Sequence, residues 1–469
     1  MRSIRNWGED PGSRWRRPTR LAAVVLTAML MALWAPLAGP AGAAPEVADG
    51  PTAAAWGAEW LADRMDAGIP FETFGSPDWG TTLEAGLALA AVDGHSPSLD
   101  ALWDAVVTQR EAVVVAGGED VPGRLAQVIL LALAVGEDPT AVGASPGDDL
   151  VARLEATRTT AGPDEGLFGT QDATYDGAYR QGYSLAALVA AGVTPDPAAV
   201  QWLLDQQCAD GSWMPYRADL AQPCAFDGTA FVGPDSNSTG AAISGLVAVG
   251  AGADPAIAAA LGWLDSVQEA DGGFSFFPGD GSDPNSTAVV VQALLAAGSL
   301  GDPEFADRDG TPLESLLSFQ LGCVHGADAG AFTFPNTGDL PNAFATAQAV
   351  SAVGGAPLGI TAPVVHVTVP DLCASAPTST TTSTTSTTTT STSVVAVTSP
   401  PGGSGADPDD GGPGTGVADL SDEADGSDRA AAGSLARTGA ESSQVATLGA
   451  VLVLLGFAAL LVGARRRRA

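Results

Sequence analysis

Two five-residue stretches hold the densest polar chemistry in this chain: Asp235-Ser236-Asn237-Ser238-Thr239 and Asp283-Pro284-Asn285-Ser286-Thr287. Each sets a carboxylate, an amide and hydroxyls just ahead of an apolar run, where the free N–H groups of a helix start attract anionic or hydrogen-bonding ligands. Arg124, Tyr179, Arg180, Tyr183 and Asn342 stand at corresponding points ahead of other apolar runs. They add cations and aromatic faces, a mixture suited to small-molecule sites. The ligand-binding candidates are therefore Arg124, Tyr179, Arg180, Tyr183, Asp235, Asn237, Thr239, Asp283, Asn285, Thr287 and Asn342. Capping is the competing account, because Asp, Ser, Asn and Thr also satisfy the N–H groups of a helix start. A cap requires one side chain, however, and both stretches offer several.

Other constellations lead elsewhere. Asp280, Asp283 and Asn285, and separately Asp302, Asp307 and Asp309, carry oxygen ligands of the kind Ca²⁺ takes, but neither has EF-hand spacing and both fit solvated turns. Asp407-Pro408-Asp409-Asp410 is a D-x-D-D acid cluster in a Gly/Pro-rich stretch, where no dry pocket exists to raise a carboxyl pKa. Cys323-Val324-His325 brings Cys and His together without the further converging ligand that zinc requires. Disulfides suit an exported chain better, and the simplest of three possible pairings joins Cys208 to Cys224 and Cys323 to Cys373. No catalytic residue, metal or cofactor is assigned.

The elements that must position these residues show in the punctuation. Alanine- and valine-rich runs end at Ser96-Pro97, Asp138-Pro139, Asp196-Pro197, Asp254-Pro255, Asp302-Pro303 and Ala356-Pro357. Gly past an apolar run closes a helix, and Asp before Pro opens the next. Six units result. Each holds an amphipathic helix, as in Val200 to Gln207 and Leu261 to Gln268. Each also holds one apolar on nearly all faces, as in Ser184–Ala191, Gly240–Val249, Ala288–Ala297 and Ala345–Val353. A helix apolar all round must be buried, and one with a polar face lies outside it. The expected fold class is all-α, an α6/α6 toroid with a double ring of six inner and six outer helices over residues 44–373; an open α-solenoid is the alternative.

The connector between the two helices of a unit has its own signature. Gln207, Gly211 and Trp213 have the spacing Q-x-x-x-G-x-W, and Gln268, Gly272 and Phe274 repeat it with Phe for Trp. Gln320, Gly330 and Phe332 give a stretched version, and Gly166 with Phe168 a degraded one. Gln ties down helix-end backbone, Gly permits the turn, and the aromatic ring packs over it. These residues resemble the QW repeats of the terpenoid cyclase and prenyltransferase α/α toroid superfamily. The resemblance implies the fold; it does not imply one function, because that scaffold hosts cyclases, prenyltransferase subunits, cobalamin carriers and complement-like domains. The cyclases' D-x-D-D acid motif has no counterpart in the repeat region, and neither does the Cys-Gly-Glu-Gln thioester of complement-like toroids. Polar-Thr pairs at inner-helix starts are similar to ligand-facing positions of the cobalamin carriers. Only Ile360 to Val369 reads as a strand, so the β-rich cap of those carriers is not expected.

Both ends read as sorting segments. Residues 1–43 carry six arginines, an apolar run from Leu21 and small residues at Ala41 to Ala43, the order of a secretory signal peptide. Thr378 to Ser393 is an unbroken Ser/Thr run, and residues 374–434 as a whole read as a disordered stalk. Leu435-Ala436-Arg437-Thr438-Gly439, an apolar stretch over 445–464 and Arg465 to Arg468 follow. This order resembles an L-A-x-T-G cell-wall sorting signal with a transmembrane helix, and implies joining of Thr438 to wall peptide by a sortase. A permanent single-span anchor is the alternative.

The chain has no lysine, and its 20 arginines face 54 acids for a net charge of −34. That excludes a nucleic-acid partner bound through phosphate neutralisation. The expected function is a surface-anchored toroid that binds a small or extended ligand without turning it over. The alternatives are an extracellular prenyltransferase- or terpenoid-cyclase-like enzyme, and a surface scaffold or adhesin.

Overall fold

The computed structural model describes residues 49–367 except 74, 144–146, 171–176, 227–231 and 336. The signal segment 1–43, the stalk 374–434, the sorting residues Leu435 to Gly439 and the apolar stretch 445–464 lie outside the described residues, as does Cys373. Among the described residues no helix is long and apolar enough to cross a membrane.

The described helices in chain order are α1 (Gly50–Ala67), α2 (Trp79–Ala90), α3 (Ser96–Thr108), the short α4 (Arg110–Val114), α5 (Pro122–Ala134), α6 (Leu150–Ala156), α7 (Gly177–Ala190), α8 (Pro197–Asp205), α9 (Ser236–Ala248), α10 (Pro255–Val267), α11 (Pro284–Ala297), α12 (Pro312–Leu317) and α13 (Ala343–Val353). Helix α2 packs on α5, α5 on α7, α7 on α9, α9 on α11, α11 on α13, and α13 back on α2. That is a closed inner ring of six. Outside it, α1 lies against α2 and α13, α3 against α2, α6 against α5, α8 against α7, α10 against α9, and α12 against α11 and α13. The expected double ring is present, and its closure rules out an open solenoid.

Burial follows the two hydrophobic patterns. On α10 the buried residues are Ile257, Ala260, Trp263 and Leu264, one stripe of an outer helix. On α11 every residue from Pro284 to Leu294 is buried. The inner helices begin several residues before their apolar runs because the polar first turns are capped and buried with them: α9 starts at Ser236 and α11 at Pro284. Asp196 and Asp254 cap α8 and α10 ahead of proline. Asp138-Pro139 instead precedes a turn, and α6 takes its cap from Asp149. Asp302-Pro303 opens a 3₁₀ turn, and α12 has its own capping box at Thr311 and Glu314.

The connector signature is the joint between units. Gln207 Nε2 donates to the carbonyls of Gly211 and Ala256, Gln268 to Gly272 and Phe305, and Gln320 to Gly330 and Ala53. Each amide thus ties its own connector to the start of the next unit's outer segment, and Gln320 closes the ring onto α1. The connector glycines face those same neighbours. A Cβ on Gly272, whose φ is 86°, would come within 2.1 Å of the Gly310 carbonyl oxygen. Unit three has no Gln before Gly166, and Gln181 on α7 substitutes, donating to Gly166 and Ala199. The aromatics Phe168, Trp213, Phe274 and Phe332 are fully buried behind these joints.

The residues after α13 cross the far end of the ring. Ala356 O accepts from Gln292 on α11, Gly359 lies against Ala186 on α7, and Val365 pairs with Val92 just past α2. That single parallel bridge is what forms of the strand expected over Ile360–Val369 among the described residues. Cys208 and Cys224 are bonded, with Cα atoms 5.7 Å apart. Cys323 is also disulfide-bonded, to a partner outside the described residues.

Candidate functional site

The first turns of the inner helices hold the candidates read from sequence. Asp235 and Asp283 are the N-caps of α9 and α11, accepting from Ser238 N at 2.6 Å and Ser286 N at 2.8 Å. Asn342 caps α13 by accepting from Ala345 N at 2.9 Å. The hydroxyls of Thr239 and Thr287 accept the N–H groups of Trp213 and Phe274 at 2.9 and 3.0 Å. Thr82 and Thr346 do the same for Phe71 and Phe332, again from the fourth residue of an inner helix. In unit three Gln181 Oε1 takes that role for Phe168. At four inner helices the Thr thus holds an aromatic residue's N–H in place, a recurrent structural task that explains its position without a ligand. Arg124 donates to Val113 O at 3.3 Å, and Arg180 to Thr170 O at 2.8 Å. Asn237 is buried beside Ser236 Oγ, 3.3 Å from its Oδ1.

Tyr179, Tyr183 and Asn285 behave differently, because their side chains bond to side chains of other inner helices. Asn285 Nδ2 donates to Gln348 Oε1 at 2.9 Å, and Gln348 Nε2 to the Tyr179 hydroxyl at 3.3 Å. The Tyr179 and Tyr183 rings lie 5.2 Å apart at 32°. The Tyr183 hydroxyl donates to Glu84, 2.9 Å from Oε1 and 3.1 Å from Oε2, and Gln127 Nε2 donates to Oε2 at 2.9 Å. Helices α7 and α13 are not ring neighbours, nor are α7 and α2, so these bonds span the bore. Five of the six inner helices contribute: Glu84 from α2, Gln127 from α5, the tyrosines from α7, Asn285 from α11 and Gln348 from α13. Glu84, Gln127 and Gln348 are each the sixth residue of their helix, which sets them at one depth in the ring.

Every member of this layer is buried. Loss of hydration raises the Glu84 carboxyl above its ordinary range, against the opposing hydrogen bonds from Tyr183 and Gln127. Burial, with Glu84 beside it, pushes the Tyr183 phenol well above its usual value. Asn285 donates to Gln348 and Gln348 to Tyr179, while Tyr183 and Gln127 donate to Glu84. Gln127 Oε1 is buried without a partner. Asp235 is also raised, to about 7, because burial outweighs its hydrogen bonds, and its Oδ2 is buried and unpartnered.

Glu84, Gln127 and Gln348 were not among the candidates read from sequence. Their signal is there: each is the one carboxyl or amide side chain in a mostly apolar run, in T-L-E-A-G-L, L-A-Q-V-I-L and A-T-A-Q-A-V. Among the described residues no group of three or more His, Cys, Asp or Glu is placed to hold a metal ion.

Fold and site together define an all-α double ring with a buried polar layer across its bore. No family model matches the chain, and no curated protein does. Among solved structures the chain is similar to a protein from Actinoplanes (18% identity, 66% of this chain and 99% of that one, TM-score 0.47). It is similar to Candida albicans protein geranylgeranyltransferase-I complexed with GGPP (12% identity, 64% and 90%, TM-score 0.47). It is also similar to the type II terpene cyclase MstE from Scytonema (16% identity, 66% and 98%, TM-score 0.46). Likenesses of this strength transfer neither substrate nor chemistry to the chain.

Proposed function

We propose that this protein is an exported, wall-anchored ring that binds a small ligand in its bore, against the polar layer that ends on Glu84, without turning it over. The observation that carries the reading is the layer of buried polar side chains contributed by five inner helices, with Tyr183 and Gln127 on the Glu84 carboxyl. Caps and connector locks need none of them. Buried polar groups are costly unless they are fully partnered, and Gln127 Oε1 is not. The signal peptide, the LARTG signal with its following apolar stretch and the sortase that would join Thr438 to wall peptide belong to the same proposal and rest on the sequence alone. The chain leaves the ring past Val365, at the end where the inner helices finish. A stalk continuing from there would hold the end where they begin toward the medium.

The test is native mass spectrometry of the full chain after exposure to envelope and culture extracts. A stoichiometric mass increment, lost in Tyr183→Phe, supports the reading. Absence of any increment points instead to the scaffold or adhesin. One observation favours the enzyme as a second reading: burial raises the Glu84 carboxyl, and a carboxyl with a raised pKa is suited to deliver a proton to a substrate. Chemical conversion of the bound compound by the wild type, abolished in Glu84→Gln, would establish the enzyme.

A further inference from the structure

We propose that the bore site takes a primary ammonium group, R–NH₃⁺, in preference to a neutral or anionic ligand. This rests on the ligand-binding reading above and names the ligand class for the same site. The partners of Glu84 are the Tyr183 hydroxyl and the Gln127 amide, and neither carries positive charge. To ionise at this depth the carboxyl needs a cation beside it, and an ammonium ion supplies that charge.

The surroundings of Glu84 match the hydrogen-bonding needs of such a group. An ammonium has three N–H donors and no acceptor. The carboxyl oxygens and the bare Gln127 Oε1, whose own amide nitrogen is 2.9 Å from Glu84, present acceptors side by side. The tilted pair of Tyr179 and Tyr183 rings adds aromatic faces, which attract cations. An anion would be opposed by the charge of the ionised carboxylate, and a neutral alcohol would bring one donor and no charge. With 54 acids against 20 arginines, the chain also draws cations toward it over longer range.

The test is calorimetric titration of the full chain with n-butylammonium, with n-butanol as the neutral analogue and butyrate as the anionic one. Butylammonium binding at least tenfold tighter than butanol, with butyrate not binding and the preference lost in Glu84→Gln, is the expected result. If Glu84→Gln does not fold, the comparison of the three probes on the wild type decides by itself. Equal binding of butylammonium and butanol overturns the inference while leaving a ligand site, and so does a cation preference that persists in folded Glu84→Gln. If no probe binds, the inference falls. An adduct from the extracts then keeps the ligand-binding reading alive, and the lack of one removes both.

Discussion

The first turns of the inner helices and the layer just below them draw on the same residue types, yet they use them for different ends. At the first turns Asp235, Asp283 and Asn342 cap backbone N–H groups, and Thr239 and Thr287 hold the connector aromatics. Those contacts are local and repeat from unit to unit. In the layer below, Glu84, Gln127, Tyr179, Tyr183, Asn285 and Gln348 bond from one inner helix to another, and the contribution changes from unit to unit: a Glu from α2, a Gln each from α5 and α13, two Tyr from α7 and an Asn from α11. Repetition thus marks the scaffold, and departure from repetition marks the site.

If this contrast holds, changes in the repeated parts should unfold the ring, and changes in the unrepeated layer should not. Gly272→Ala should have the largest effect. It places a methyl 2.1 Å from a backbone oxygen at a φ of 86°, and the atoms it meets at Gly310 and Thr311 are all backbone. A loss of about 3–4 kcal/mol is expected by urea denaturation. Breaking the Cys208–Cys224 clip with Cys224→Ser should cost about 3 kcal/mol, the amount chain entropy gives for a loop of this length. Thr287→Val leaves the buried Phe274 N–H without its acceptor and should cost about 2 kcal/mol, whereas Thr287→Ser retains the hydroxyl and should cost less than half as much. If Thr287→Val proved harmless, the locking role of the Thr would be wrong.

Most of the double ring could be read from the sequence, because backbone needs repeat. Helix ends want Gly, caps want Asp, and the connector wants Gln at a fixed distance from Gly and an aromatic. Unit three escaped that reading because Gln181 reaches the same carbonyls from the following inner helix, thirteen residues past Phe168. The candidate site was harder to read. Tyr179, Tyr183 and Asn285 were legible as polar groups near helix starts. Glu84, Gln127 and Gln348 lie in runs whose apolar character speaks only of burial. What makes them a site is the closure of the ring, which brings α2, α7 and α13 face to face across it, and no local spacing encodes that.

The pH dependence of stability sharpens the comparison within the first turns themselves. Asp235 and Asp283 head nearly identical motifs, but Ser286 Oγ donates to Asp283 Oδ2 at 2.8 Å, while Asp235 Oδ2 has no partner. Asp235 is held at about 7 in the fold against an ordinary 3.8. A carboxyl raised by folding gives stability that is complete below its unfolded value and is lost as pH rises through the folded one. Between about pH 4 and 7 this group should therefore lower stability by about 1.4 kcal/mol per pH unit. Asp235→Asn keeps a capping oxygen and should flatten that slope. Asp283→Asn should flatten it less and should also lose the Ser286 contact. Urea titrations across that range will show the two variants diverging; equal slopes would mean that the unpaired oxygen has no consequence.

The smallest effect on stability is expected at the centre of the proposed site. Glu84→Gln preserves shape, and its carbonyl still accepts from Tyr183 while Gln127 can turn its amide to match. At acid pH, where the wild-type carboxyl is protonated, the two proteins should differ by no more than about 0.5 kcal/mol. Burial raises Glu84, so the wild type loses stability as pH increases past the ordinary carboxyl range, and the variant does not. The variant should therefore become the more stable of the two toward neutral and alkaline pH. Parallel curves would mean that Glu84 titrates as a solvated acid, and the buried layer would then lose its claim to be anything but packing. A variant that is more stable but no longer binds would show the ring tolerating a strained carboxyl for the sake of its ligand.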